Sequence, residues 1–239
     1  MKVYLIPVAK KCNAKCEFCI TKFRKTTGNL IDEKQIGSQL LKLKNIEYIE
    51  ITGGGEPLLH PMIEKIISVC RDVAPTRLYT NGANVFRNTN FVSLNQLCIS
   101  RAHYSETENH RIMGVHCDDW VFGLGVEIKL SLMLLKSGIS DFDQIKKYLC
   151  WASKRKVKKV VIRQLGENKN IKYKRVYKNN FVSTSKIISK FERCKRIKNN
   201  SPNPIFVFNK VEVEIELVGC PELGSNVILR ADNKFYPSW

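Results

Sequence analysis

From residue 3 to residue 165 the sequence alternates between short apolar runs and amphipathic stretches, and nothing else in it limits the fold so strongly. Runs at 3–8, 46–52, 77–80, 96–100, 127–135 and 158–165 have the length and the Val, Ile, Leu and Tyr content of strands. Between them, 31–44, 60–73, 105–113 and 140–156 space their apolar residues as helices do. The first and last of these helices open on Asp or Ser, which suit an N-cap, and His60-Pro61 opens another, Pro being tolerated in a first turn. Strands that alternate with helices pair in parallel through crossovers, so the expectation is an α/β chain with six strand–helix units. Along 127–135 alternation sends Lys129, Ser131 and Met133 to one face and Ile128, Leu130, Leu132 and Leu134 to the other. That pattern suits a partial (β/α)6 barrel with helices outside and a ligand inside. Six units rather than eight leave such a barrel open.

After residue 165 the texture changes. Residues 166–203 hold eleven Lys or Arg against two Glu, with a helix expected over 183–197. The stretches 204–219 and 227–239 alternate with period two, as antiparallel strands with one wet face do, and 232–234 is a candidate turn. The expected organisation is a barrel core over 1–165, followed over 166–239 by a basic insert and a short antiparallel C-terminal β extension packed on that core.

A chain of 239 residues with 44% hydrophobic content buries a full core, and it has neither an apolar run long enough to span a membrane nor an export signal. The expected location is the cytoplasm. Nine cysteines, an odd number, fit reduced thiols better than a disulfide framework. Cys70, Cys98, Cys117, Cys150, Cys194 and Cys220 are scattered singly, and Cys70 and Cys98 lie in apolar stretches as small buried hydrophobes do. The formal charge of +18 favours an anionic substrate and leaves a nucleic-acid partner open, although a solvated lysine-rich surface accounts for the charge equally well.

Cys12, Cys16 and Cys19 stand in the spacing C-x3-C-x2-C directly after the first strand. A structural zinc site is closed by four ligands, and no Cys or His follows at a suitable spacing. A four-iron four-sulfur cluster held by three cysteines keeps one iron open to something that is not protein. Further on, Gly53, Gly54, Gly55 and Glu56 follow the second strand, Asn81-Gly82 follows the third, and Ser100 ends the fourth.

The run Cys12, Cys16, Phe18, Cys19 resembles the cluster motif of the radical S-adenosylmethionine (radical SAM) enzymes, and Gly53 to Glu56 is similar to their glycine-glycine-glutamate-proline motif. The pattern lies nearest to molybdopterin-precursor-cyclase-like and peptide-modifying members, without their cysteine-rich C-terminal module. The resemblance implies one 4Fe-4S cluster on Cys12, Cys16 and Cys19, with S-adenosyl-L-methionine (SAM) chelating the fourth iron. It implies reductive cleavage to a 5'-deoxyadenosyl radical that abstracts hydrogen from a substrate. It also implies an external one-electron donor such as flavodoxin or ferredoxin. On the same ground Phe18, Gly53, Gly54, Gly55, Glu56, Asn81, Ser100, Ser131 and Arg163 are candidate SAM-site residues, with Glu56 meeting the amino group. Arg101, His103 and Tyr104 depart from the serine-leucine-aspartate of those relatives and stand as candidate catalytic residues toward substrate.

These motifs all follow strands, so a parallel sheet collects them at its C-terminal end. The substrate expected there is an anionic small molecule such as a nucleotide, sugar or natural-product intermediate, with peptide and RNA also compatible. Two other readings stand beside this one. An iron-sulfur electron-transfer protein explains the cysteines but not Glu56, and a zinc-containing nucleic-acid-binding module explains the charge but not the glycine motif.

Overall fold

A computed structural model describes residues 1–23, 30–83, 91–167, 170–192, 194–197, 203–217 and 226–237. Cys220 and the ends of the two period-two stretches lie outside these residues. The six expected strands are present as β1 (Lys2–Leu5), β2 (Tyr48–Ile51), β3 (Thr76–Thr80), β4 (Gln96–Ser100), β5 (Ile128–Met133) and β6 (Lys159–Arg163). Between them run α1 (Glu33–Leu40), α2 (Ile63–Val73), α3 (Glu106–Met113) and α4 (Phe142–Lys154). Asp32 and Asp141 cap α1 and α4 by accepting from the backbone N–H groups of Lys34 and Gln144. Before α2 the His60 ring does similar work, its Nδ1 accepting from the Met62 N–H at 3.1 Å. Gly114 ends α3 in the left-handed region, at φ 71°.

The C-terminal third follows as α5 (Ile171–Asn180), α6 (Ser185–Ile188), β7 (Lys195–Ile197), β8 (Ile205–Phe208), β9 (Val211–Ile215), β10 (Asn226–Leu229) and β11 (Phe235–Tyr236). The helix expected over 183–197 is cut short, because after α6 and a 3-10 turn at Ser189–Phe191 the chain extends into β7. Serines and β-branched residues in that stretch support a long helix poorly. A helix that the lysine-rich composition hides, α5, precedes it.

All eleven strands form one sheet in the order β11-β10-β1-β2-β3-β4-β5-β6-β9-β8-β7. Two of the C-terminal strands extend its parallel part: β9 pairs with β6 and β10 with β1, both parallel. Among the named strands, antiparallel pairing is confined to β7-β8-β9 and β10-β11. Asn209 and Lys210 make the tight β8–β9 turn at φ 47° and 66°, and Asn233, at φ 59°, sits in the 232–234 turn before β11.

Val3, Leu5, Ile49, Ile51, Leu78, Leu97, Leu130 and Ile162 point to one side of the sheet and are buried in a core that takes in apolar residues of α1, α2 and α4. Burying each such side chain contributes roughly 1.5–3 kcal/mol. The opposite side of the strands carries polar groups that bond to one another. Glu50 accepts from Arg77 at 3.4 Å and from the Tyr79 hydroxyl at 3.3 Å, and Lys129 donates to that hydroxyl at 2.8 Å. The division of β5 into a Lys129 face and a leucine face is therefore real, and the polar side leads up to the strand ends. No helix among the described residues is long and apolar enough to cross a membrane.

Candidate active site

The cysteine loop is held by the elements that follow the next three strands. Beyond β2, the N–H groups of Gly55 and Glu56 donate to the carbonyls of Val8 and Lys11 at 2.9 and 3.0 Å. Beyond β3, the Asn81 amide donates to Asn13 Oδ1 at 2.8 Å. Beyond β4, the end of α3 takes the Lys15 N–H on its Met113 carbonyl at 2.7 Å, and the Cys16 thiol reaches the same oxygen at 3.8 Å.

The contacts also explain the glycines. A Cβ on Gly54 would lie 2.1 Å from the Ala9 carbonyl oxygen, and one on Gly55 would lie 2.1 Å from that of Lys11. The glycine turn thus lies flush on the cysteine loop, so the close approach is between two stretches of backbone.

Glu56, only 2% exposed, stands where these supports meet. One carboxylate oxygen accepts from the Leu58 N–H at 3.1 Å and the Thr80 hydroxyl at 2.7 Å, and the other from the Asn81 N–H at 2.8 Å. Burial raises its pKa above the usual carboxylate range, while these three donors pull the other way. A carboxylate takes about four hydrogen bonds, so acceptor capacity for one further donor is left.

A cavity of about 340 Å³ lies at these strand ends, bordered by all three motif thiols and by Glu56. Its size falls in the range of about 300–1,000 Å³ typical of small-molecule pockets. The candidate residues Phe18, Gly53, Gly55, Asn81, Ser100, Ser131 and Arg163 also border it. Gly54 is placed instead against Ala9. Burial, then the neighbouring Cys19 and Cys12, push the Cys16 thiol up to about 12, and burial raises Cys12 as well. A metal cluster bound here therefore has to displace a proton from Cys16. Among the described residues no group of three or more His, Cys, Asp or Glu is arranged to hold one metal ion. A cluster with one thiolate on each of three irons asks for a wider spacing than that.

Arg101, His103 and Tyr104, the candidates toward substrate, take different places. Arg101 borders the cavity, but its guanidinium donates to the carbonyls of His103 and Cys117 at 3.0 and 2.9 Å and pairs with Glu106 at 2.8 Å, with its side chain 1% exposed. It holds two loops together. His103 accepts the Ser105 N–H on Nδ1 at 3.0 Å and stacks on Tyr104, their ring centroids 4.3 Å apart, and neither ring lines the cavity. Arg163 pairs with Glu216 at 2.6 Å and donates to the Ser131 hydroxyl at 3.3 Å.

Tyr173 is one of the cavity residues that sequence reasoning missed. It comes from α5, is buried, and packs edge-on against Phe23 with ring centroids 5.3 Å apart. The signal was present in Tyr173, Tyr177 and Phe181, an apolar stripe at i, i+4 and i+8. Leu165 and Met133 complete an apolar wall with Met113.

Residues 6–121 match the family model described as the Radical SAM superfamily. Comparison of the sequence with curated proteins gave no match. Among solved structures the fold is similar to Streptococcus suis SuiB bound to S-adenosylmethionine, with a TM-score of 0.71 at 15% identity over 99% of this chain and 60% of that one. SuiB bound to the precursor peptide SuiA gives 0.69 at 15% over 99% and 59%. Native anSMEcpe with AdoMet and the Kp18Cys peptide gives 0.62 at 14% over 99% and 74%. At these identities the likeness is one of fold, a mostly parallel α/β partial barrel. This chain spans about three fifths of the length of SuiB.

Proposed function

We propose that this chain, which carries a Radical SAM domain over residues 6–121, is a radical SAM enzyme whose cofactors occupy the cavity at the strand ends. The observation that carries the reading is the convergence of Cys12, Cys16, Cys19 and Glu56 on one cavity, with the cysteine loop held from three successive strand ends. A four-iron four-sulfur cluster bound to those thiols supplies the one-electron reduction that splits the sulfonium of SAM.

Cys12, Cys16 and Cys19 hold the cluster as thiolates. Glu56 offers its remaining acceptor position to the ammonium group of SAM, and desolvation of the site strengthens that bond. Ser100, Ser131 and Arg163 present polar groups to the rest of the nucleoside, with Glu216 keeping Arg163 in place. Phe18, Met113, Met133 and Leu165 form the apolar side of the cavity and exclude water. In this scheme residues 1–165 bind the cofactors, and residues 166–239 complete the cavity wall.

For the substrate, net charge is a poor guide. Arg101 and Arg163, the arginines that border the cavity, both have carboxylate partners. We favour a peptide over the anionic small molecule expected from composition, a choice supported by the peptide complexes of SuiB and anSMEcpe.

Anaerobic reconstitution with iron and sulfide, followed by dithionite and SAM, tests the assignment. The expected result is 5'-deoxyadenosine from the native protein and none from Cys16→Ala. A reduced centre whose electron paramagnetic resonance is indifferent to SAM would overturn the reading in favour of an electron-transfer protein.

A further inference from the structure

Hydrogen bonds from later parts of the chain land on Val8, Lys11, Asn13, Lys15 and the Cys16 thiol. From Cys16 onward the loop closes on itself. The Cys19 N–H donates to the Cys16 carbonyl at 3.3 Å, and the Lys22 N–H donates to the Cys19 carbonyl at 3.3 Å within the 3-10 turn Ile20–Phe23. The Lys22 side chain then reaches back along the chain. Its ammonium donates to the Cys16 carbonyl at 2.7 Å and to the Lys15 carbonyl at 3.1 Å.

These two bonds meet the last outside support. Lys15 gives its N–H to the Met113 carbonyl and its carbonyl to Lys22, so its peptide groups are held on both sides. A Cβ on Gly114 would lie 2.9 Å from the Lys15 Cβ, which shows how closely the end of α3 abuts this point. Lys10, Lys11 and Lys15 are exposed on the same loop, but the ammonium bound to the loop's carbonyls is that of Lys22. Fixing a long, exposed side chain costs rotamer entropy, and charge-assisted bonds are strong enough to offset it. Both bonds go to neutral carbonyls, and among the described residues no carboxylate pairs with Lys22, so its charge is not cancelled locally.

We infer that Lys22 is a positioning residue for the cluster: it closes the thiol loop and sets an uncancelled positive charge beside it, which eases the cluster's reduction. The inference rests on the radical SAM reading above. Three thiolates bring negative charge to the centre, and reduction adds one more. Net charge and nearby hydrogen bonds set the potential of iron-sulfur centres, and a neighbouring cation favours the more negative state. Lys22 is exposed, so water and salt screen this effect and keep it modest. In the reduction itself one electron passes from dithionite to the cluster, with no bond made or broken.

The test is a redox titration of the reconstituted full chain with dithionite, followed by electron paramagnetic resonance, for the native protein, Lys22→Arg, Lys22→Gln and Lys22→Met. In the Gln and Met variants the ratio of reduced to oxidised cluster at a fixed potential should fall about threefold, which is about 30 mV at about 59 mV per tenfold. Lys22→Arg, which keeps the charge, should stay near the native value. Raising salt from about 0.01 M to about 1 M shortens the screening length from about 30 to about 3 Å and should shrink the difference. In cluster-free protein, hydrogen exchange at the Cys19 amide should quicken several-fold in Lys22→Met and less in Lys22→Gln, which retains a donor. An unchanged potential in both uncharged variants, a shift indifferent to salt, or unchanged exchange in Lys22→Met would each overturn the inference. Iron loss with an unaltered potential in the clusters that remain would do the same and leave the lysine a scaffold alone. If the native protein takes up no cluster, the radical SAM reading fails on its own, while the exchange measurement still decides whether Lys22 holds the loop.

Discussion

The ends of β1 to β4 and the segment after residue 166 reach the same cavity by different routes. The first region brings short motifs attached to strand ends, each fixed by hydrogen bonds to the cysteine loop. The second brings single side chains, Tyr173 from α5 and Glu216 beyond β9, whose place depends on where whole elements dock. Motif chemistry is local and belongs to a strand end, whereas the wall of the cavity depends on assembly.

Four substitutions or measurements press on that contrast. Gly54→Ala sets a Cβ against the Ala9 carbonyl, a backbone atom that cannot swing aside as a side chain would. We expect a loss of about 3 kcal/mol in urea unfolding and a protein that no longer retains iron after gel filtration. An alanine variant that kept both would show that the turn does not hold the loop. Tyr173→Ala removes a buried ring from the second region and should cost roughly 3–5 kcal/mol, together with SAM affinity measured by calorimetry. Stability lost with SAM affinity intact would reduce α5 to cladding. Glu216→Gln frees Arg163 from a half-exposed ion pair, and because solvent screens that pair we expect under about 1 kcal/mol in stability and a few-fold change in SAM affinity.

The smallest effect belongs to His103, whose burial lowers its pKa below the ordinary 6.5. Between the folded and unfolded values the unfolded chain binds the extra proton, so stability should rise with pH toward 6.5 and level off above it. His103→Asn keeps an acceptor for the Ser105 N–H and should flatten that slope in thermal melts from pH 5 to pH 7.5.

The six core strands and four helices are legible in the sequence because apolar period and length report an element's own burial, and Asp32 and Asp141 mark their helix starts. The thiol loop is legible for a similar reason, as three cysteines eight residues from first to last carry their own spacing. Partner choice is another matter. Period two is the same in a parallel and an antiparallel strand, so nothing local announces that β9 joins β6 and β10 joins β1. Lysines mask the stripe on α5 because they share its exposed face. Arg101 stands out by residue type, yet the bonds that fix its guanidinium run to backbone carbonyls, which have no sequence signature.

The anchoring of the cysteine loop by later parts of the chain has a bearing on biosynthesis. The thiols leave the ribosome before the Met113 carbonyl that steadies Cys16, which is 97 residues downstream. Until α3 has been translated and has docked, the motif lacks the last of its three supports, so on the radical SAM reading iron delivery is expected to follow the docking of α3.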